Sequence, residues 1–226
     1  MTNVTGGRPH ARCPMTLHDD PVMPQATLQT GRIRLVPLAD EHLEHEVELD
    51  SDPEVMRYLT GRARTREEVE AIHHQRLAAA DVVPGLGFWA GFVEGEFVGW
   101  WILQPPHRPD QGEVAGQGEV AGQAELGYRI LRRYWRQGLA SEGARELIRY
   151  GFEDLGLNRI FAETMAVNAG SRATMASVGM VYVRTFHLEF DDRLPGTDLA
   201  EVEYAIARQD WLSRPMHSGN PPDDVS

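Results

Sequence analysis

The chain has 226 residues, of which 42% are hydrophobic and 25% are charged, the composition of an ordinary soluble globular protein. Its formal net charge of −12 argues against nucleic acid and anionic membranes as main partners, and it suits either solubility or a cationic substrate such as an amine. The single cysteine, Cys13, excludes a disulfide framework and a cysteine-based zinc site, and no apolar run approaches the roughly 18 residues of a membrane span.

Both ends of the chain are expected to be poor in structure. Residues 1–26 contain Gly, Pro and His without periodicity and are predicted to be a disordered leader, and residues 213–226 a flexible tail. Residues 27–212 then form one domain with room for a core. Because the first residues lack the hydrophobic segment of a secretory signal, we expect a cytoplasmic protein.

The first half of the chain predicts helices packed beside a hairpin. In chain order the predicted elements are a strand over 30–38, helices opened by Asp40, by Asp52-Pro53 and by Thr65, and strands over 88–93 and 97–103. Thr65 followed by Glu68 forms a capping box. The histidine pairs His42/His45 and His73/His74 lie on exposed-looking helices without further clustered ligands, so we expect no metal site.

A short duplication precedes the next strand. The hexapeptide QGEVAG at 111–116 recurs unchanged at 117–122, and residues 123–126 begin a third, degraded copy. Two copies of six residues are too little for a solenoid, so a duplicated loop is expected. Glu113, Glu119 and Glu125 occupy equivalent places, but only Glu125 is followed by a strong strand, LGYRIL, and the functional copy is therefore placed there.

The stretch from Ala124 to Gly151 predicts a strand, a turn over 135–140 and an amphipathic helix over about 139–154. The first N–H groups of such a helix have no partner within it, and the macrodipole adds about half a positive charge there. The natural occupant is a phosphate, so we predict a pyrophosphate site at this turn.

The last third of the chain completes one mixed α/β domain. The predicted elements are a strand over 160–167, a short helix capped by Asn168 or Ser171 and ended by Gly179, and strands over 181–190 and 200–207. Glu201 and Glu203 share one face of the last strand and are expected to be solvated, with attraction of a cationic amine as the alternative.

Two motifs in this order resemble those of the GNAT acetyltransferase family. Trp135-Arg136-Gln137-Gly138-Leu139-Ala140 is similar to the acetyl-CoA signature Q/R-x-x-G-x-G/A, and Asn168-x-x-Ser171 with Gly179-Met180 resembles the second motif. The opening TGRIRLVPL and the YW before the turn resemble the corresponding sequences in the branch that contains ribosomal-protein N-terminal acetyltransferases. The resemblance covers about residues 28–208. It implies an α/β (α+β) fold with a mixed, mostly antiparallel sheet of about seven strands, splayed between strands 4 and 5 and flanked by helices.

The resemblance also implies which residues bind acetyl-CoA. The pyrophosphate is expected at the backbone of the turn and helix start, and the pantetheine at backbone freed by a bulge in the fourth strand. The predicted cofactor-binding residues are Tyr128, Arg129, Ile130, Arg136, Gln137, Gly138, Leu139, Ala140, Ser141, Asn168 and Ser171. The sequence departs from the family at Met175, where many relatives carry a tyrosine that protonates the leaving thiolate. Either the CoA thiolate leaves without a dedicated acid, or water or Tyr182 supplies the proton.

Two carboxylates compete as the general base that takes a proton from the amine. Glu125 begins the fourth strand, close to where histone-type relatives keep their base, and is favoured. Glu163 lies on the fifth strand, where a ribosomal-protein acetylating relative keeps its own. A water chain or another group is the third alternative. In that case Glu125 only pairs with an arginine such as Arg129, and Glu163 is a solvated strand residue.

The expected function is transfer of an acetyl group from acetyl-CoA to a primary amine by direct attack in a ternary complex. The acceptor is a protein N-terminus or a small amine, with α-amines favoured because their pKa of about 7.7–8.0 is lower than that of lysine. A non-catalytic acyl-CoA-binding module and an acyltransferase for longer acyl-CoA stay open, as does a homodimer. No metal, nucleic acid or membrane partner is expected.

Overall fold

The computed structural model describes residues 24–80, 83–106, 122–188 and 200–213. The helices are α1 (Leu43–Asp50), α2 (Arg66–Ala79), α3 (Leu139–Arg149), α4 (Ala169–Ser177) and α5 (Arg208–Leu212). The strands are β1 (Leu28–Gln29), β2 (Arg34–Pro37), β3 (Gly87–Val93), β4 (Glu96–Gln104), β5 (Gln123–Ile130), β6 (Arg159–Met165), β7 (Val181–Phe186) and β8 (Glu201–Ala207).

Some predictions fall outside the described residues. These are most of the leader with Cys13, the duplicated hexapeptides over 111–121 and the tail from 214 onward. Two residues assigned to the leader contact the sheet. The Gln25 side chain donates a hydrogen bond to the carbonyl oxygen of Phe88 (2.8 Å), and the Ala26 carbonyl accepts one from the Trp89 indole (2.7 Å).

The strands form one mixed sheet in the order β1-β2-β3-β4-β5-β6-β8-β7. Every neighbouring pair is antiparallel except β5 and β6, which run parallel. The predicted α/β fold is confirmed. The sheet has eight strands because the two-residue β1 precedes the seven expected from the sequence, so the predicted fourth and fifth strands are β5 and β6.

The sheet opens between β5 and β6. The two strands pair only from Gln123↔Arg159 to Glu125↔Phe161, although β5 continues to Ile130 and β6 to Met165. Backbone groups of β5 beyond Glu125 therefore face an opening, which confirms the predicted splay. The bulge predicted near Tyr128–Ile130 is wrong, because the register of β5 with β4 is continuous from Gly99↔Ile130 to Gln104↔Glu125. The splay alone exposes the backbone on this side.

Several local predictions are corrected. The segment opened by Asp52-Pro53 forms turns and not a helix. His42 and His73 are buried, 5% and 2% exposed, whereas we expected exposed helix faces. Glu201 and Glu203 are buried and not solvated, 8% and 0% exposed, because β8 lies between β6 and β7. The Glu203 carboxylate pairs with arginines of both neighbouring strands.

Other local predictions are confirmed. Thr65 and Glu68 form the capping box at the start of α2. Asn168, and not Ser171, is the N-cap of α4. Helix α3 continues into a π-helical turn over Tyr150–Asp154, close to the predicted end.

Trp101 of β4 fixes the distance between the sheet and α3. The side chain is fully buried and its indole N–H donates to the carbonyl oxygen of Ala140 (3.2 Å). A Cβ atom at Gly143 of α3 or at Gly91 of β3 would overlap the indole ring. The two glycines therefore leave room for a large aromatic ring beneath α3.

We expect Gly143→Ala to lower the free energy of unfolding by about 1–3 kcal/mol, because the new methyl group overpacks the core against Trp101. In a helix without such a neighbour, the same change is favourable by up to about 1 kcal/mol. Gly170→Ala in α4 is the matched control, since its Cβ meets nothing closer than the Asn168 side chain at 3.8 Å. Urea unfolding of both variants measures the effect, and an unchanged or higher stability of Gly143→Ala contradicts this packing.

Candidate active site

An open cavity of about 1340 Å³ lies along the splay between β5 and β6. Its walls are β5, β6, the start of α3, α4, and the segment from Glu54 to Arg76 that includes most of α2. Every predicted site residue lines the cavity except Gln137, whose side chain donates to the carbonyl oxygen of Arg133 (3.0 Å). The lining residues from the prediction are Glu125, Tyr128, Arg129, Ile130, Arg136, Gly138, Leu139, Ala140, Ser141, Glu163, Asn168 and Ser171.

The turn before α3 can bind an anion. Gly138 is the N-cap with φ 77°, and no side chain caps the helix. The first backbone N–H of α3 with a hydrogen-bond partner inside the turn is that of Glu142, which donates to the carbonyl oxygen of Gly138. The N–H groups of the preceding first-turn residues are therefore open to a ligand at the positive end of the macrodipole. This geometry suits a pyrophosphate.

Contacts from two sides hold this turn in place. The Trp135 indole donates to the carbonyl oxygen of Ile130 (2.7 Å), which ties the turn to the end of β5. Glu142 accepts hydrogen bonds from the Thr30 hydroxyl (2.6 Å) and the Arg32 guanidinium (2.7 Å). Burial alone raises the pKa of Glu142. The hydrogen bonds from Thr30 and Arg32 lower this pKa by more, so the net shift of the pKa is downward. The first turn of α3 is thus anchored to the chain before β2.

The start of α4 forms the opposite wall. The Asn168 side chain accepts from the Ser171 N–H (3.2 Å) and donates to the Thr164 hydroxyl (3.1 Å), which joins α4 to β6. Tyr128 reaches across the splay from β5, and its hydroxyl contacts the carbonyl oxygen (3.1 Å) and the hydroxyl (3.2 Å) of Ser171. Burial raises the pKa of Tyr128, so the phenol keeps its proton at neutral pH.

We expect Tyr128→Phe to lower the free energy of unfolding by about 1 kcal/mol, because it removes a side-chain hydrogen bond between β5 and α4. We also expect a few-fold rise in the KM for acetyl-CoA, since α4 forms one wall of the cavity. Tyr182→Phe is the control, because that hydroxyl contacts the exposed Thr185 (2.8 Å) and its loss should be near neutral. Thermal unfolding and initial rates give both values, and equal effects of the two changes would show that the bridge contributes nothing.

The position of the expected thiolate acid is occupied by Met175, which is 2% exposed and packs in the core. Tyr182 is not a substitute, since it is 53% exposed on β7 and does not line the cavity. The tyrosines that do line it are Tyr58, Tyr128 and Tyr134. Tyr128 is the one that contacts α4, and the sequence indicated it only as a backbone contact.

The two candidate bases lie on opposite sides of the splay. Glu125 is the last residue of β5 that pairs with β6, and it accepts a hydrogen bond from the Gln104 side chain (3.0 Å). Glu163 lies farther along β6, after the strands have separated. The Arg129 guanidinium donates to Asp50, so it is not a partner dedicated to Glu125.

The sequence missed a polar cluster at the end of the cavity away from α3. Arg64, Arg76 and Arg129 surround the buried carboxylate of Asp50 there, beside Trp100. Between 14 and 79 positions along the chain separate Asp50 from these partners. No local pattern signals such a cluster.

Within the described ranges, no group of three or more His, Cys, Asp or Glu side chains is placed to hold a metal ion. None of the helices in the same part of the chain is long and apolar enough to cross a membrane.

Comparisons with known proteins agree on one family. The model for the acetyltransferase (GNAT) domain matches residues 32–181. The FsC-acetyl coenzyme A-N(2)-transacetylase of Aspergillus fumigatus is 44% identical over 189 residues, which cover 83% of this chain and 79% of that protein. The uncharacterized N-acetyltransferase YoaA of Bacillus subtilis is 30% identical over 158 residues, 67% of this chain and 81% of its own length.

A solved structure shares the fold at low sequence identity. RimL, a ribosomal L7/L12 alpha-N-protein acetyltransferase in complex with coenzyme A, has a TM-score of 0.62 and 14% identity, with 80% of this chain and 97% of RimL covered. The family resemblance in the sequence is therefore confirmed. The chain belongs to the GNAT family and is an acetyl-CoA-dependent N-acetyltransferase.

Proposed function

We propose that this acetyltransferase moves the acetyl group of acetyl-CoA to a primary α-amine by direct attack within a ternary complex. The observation that carries the proposal is the single cavity that joins the uncapped start of α3 to the splay between β5 and β6. An extended cofactor with its pyrophosphate at Gly138 has its thioester end directed toward the exposed backbone of β5. The acceptor then enters from the end formed by the segment from Glu54 to Arg76.

The chemistry needs a proton removed and an oxyanion stabilised. We assign Glu125 as the general base, with Glu163 as the alternative, because both carboxylates line the cavity at the splay. The neutral amine attacks the thioester carbonyl, whose oxygen gains charge and accepts a hydrogen bond from the freed backbone of β5. The C–S bond then breaks, and the CoA thiolate leaves and takes a proton from water.

The acceptor class is supported by two facts. The name of the Aspergillus fumigatus relative specifies transfer to an N(2) nitrogen, and in an α-amino acid that locant belongs to the α-amine. An α-amine also has a lower pKa than a lysine side chain, about 7.7–8.0 against 10.4, so a single carboxylate deprotonates it more readily. We place the protein in the cytoplasm, where acetyl-CoA and free amines are both present.

The test is an amine panel with acetyl-CoA, read by CoA release and by mass spectrometry of the products. The panel contains amino acids, their amides, short peptides, Nα-blocked lysine and an aminoglycoside. We expect α-amines to be acetylated with one CoA released per product, and Nα-blocked lysine to react far more slowly. The chain contains no lysine, so its own side chains add no background. Turnover of ε-amines alone, or tight acetyl-CoA binding without any product, contradicts the proposal.

A further inference from the structure

Three arginines converge on one carboxylate at the acceptor end of the cavity. Asp50, at the end of α1, is fully buried, and its oxygens lie 3.2 Å from the guanidinium of Arg64, 3.3 Å from that of Arg76, and in contact with that of Arg129. Asp50 itself does not line the cavity, but all three arginines do. The positive groups therefore face the substrate, with the carboxylate behind them.

The cluster carries more positive than negative charge. Apart from Asp50, the buried carboxylate is Glu46, which contacts Arg76 and His73. Among the residues that the structure describes, two buried carboxylates thus face three arginines. Burial lowers the pKa of Arg129 to about 10, so the group is still charged at neutral pH but is poorly compensated. A buried surplus cation favours an anionic ligand.

Two buried donors in the same place have no acceptor. Among the residues that the structure describes, neither Nε of Arg129 nor the indole N–H of Trp100 has a hydrogen-bond partner. Both side chains are more than nine-tenths buried and both line the cavity. The Trp100 ring contacts the guanidinium groups of Arg76 (5.0 Å) and Arg129 (4.7 Å), which fixes their orientation. Buried donors without acceptors destabilise a protein, so the arginine cluster beside the cavity has unmet hydrogen-bonding capacity.

We infer that the acceptor end of the cavity binds a carboxylate, and that the preferred acceptor is an amine that also carries one. This inference rests on the proposed function and adds the substrate class. The whole chain is acidic, but the charged residues of the described part that line the cavity are five arginines and three glutamates. Arginine is the side chain best suited to a carboxylate, because its planar fork donates two parallel hydrogen bonds. The surplus charge attracts the carboxylate, and the splay receives the amine.

The test uses acceptors in matched pairs: amino acids and dipeptides with a free carboxylate, and the same compounds as amides. We expect the wild-type protein to have a KM at least about 10-fold lower for the acid of each pair than for its amide. This is the change expected when the amide loses one charged hydrogen bond that the acid makes. We expect Arg64→Gln, the most accessible of the three at 18% exposure, to raise the KM for acids about 10-fold and that for amides less than about twofold. Arg64→Lys should restore part of the loss.

Arg62→Gln is the matched control. Arg62 lies two residues away, is 61% exposed, pairs with Glu68 and does not line the cavity, so neither KM should change. Equal use of acids and amides by the wild type, or an equal rise in both KM values for Arg64→Gln, overturns the inference. Neither result affects the proposed transfer of acetyl groups to α-amines.

Failure of the proposed function gives a different result. If no member of any pair is acetylated, the α-amine assignment fails, and calorimetric titration of the CoA-loaded protein with N-acetylalanine and N-acetylalaninamide decides the inference separately. Selective binding of the acid by the wild type, weakened in Arg64→Gln, supports the carboxylate site. Equal binding of both probes overturns it.

Discussion

Replacing Gly138 by valine is expected to raise the Kd for acetyl-CoA by at least about 100-fold, a loss of about 3 kcal/mol. Gly138 adopts φ 77° and starts α3 at the wall of the cavity. A β-branched residue at this φ costs about 1–3 kcal/mol, so the turn rearranges and its N–H groups lose their common direction. Each charge-assisted hydrogen bond to a phosphate oxygen contributes about 1.5–3 kcal/mol, and the loss of two accounts for the expected change.

Gly156→Val separates backbone strain from loss of the ligand site. Gly156 has nearly the same φ, 68°, but a Cβ there meets no atom within 4 Å and the residue does not line the cavity. We expect both variants to melt at a lower temperature than the wild type, and only Gly138→Val to lose acetyl-CoA binding in calorimetry. Similar Kd values for the two variants would show that the phosphates bind elsewhere.

Glu125→Gln is expected to lower kcat/KM for an α-amine by about 100-fold or more at neutral pH, the usual contribution of a general base. The amide keeps the size of the side chain and its contact with Gln104 but cannot accept the proton. The deficit should shrink as the pH rises above about 8, because the free amine is then already neutral and needs no base. Rates measured from pH 6 to 9.5 test both statements.

Glu163→Gln is the companion variant, since that carboxylate lines the cavity from β6. We expect its kcat/KM to fall by less than about 10-fold, well short of a general base's contribution. A large effect of Glu163→Gln with a small effect of Glu125→Gln would transfer the role to Glu163. If neither change lowers turnover about tenfold, a water chain takes the proton and the assignment is wrong for both residues.

Features of the site that depend on neighbouring residues were predictable from the sequence. The turn before α3 follows from Gly138 and the amphipathic helix after it, and the cap of α4 from the reach of Asn168 to the N–H three residues later. The capping box of α2 has the same local origin. In each case the hydrogen bonds join residues within one helical turn, so spacing alone identifies them.

Features that depend on chain topology were not predictable. Glu203 looked like a solvated strand residue because nothing local shows that β8 is inserted between β6 and β7, where Arg159 and Arg184 become its partners. Asp50 meets Arg129 across 79 residues, and only the folded sheet brings them together. The acidic net charge is compatible with a cationic substrate, but it says nothing of how charges are distributed over a surface.

The central claim is that one cavity binds the cofactor from the start of α3 to the splay of β5 and β6. A crystal structure of the protein with acetyl-CoA tests it most directly. We expect the pyrophosphate at the backbone N–H groups that follow Gly138 and the thioester between β5 and β6, beside Glu125. A pyrophosphate away from α3, or a thioester outside the splay, would contradict the account.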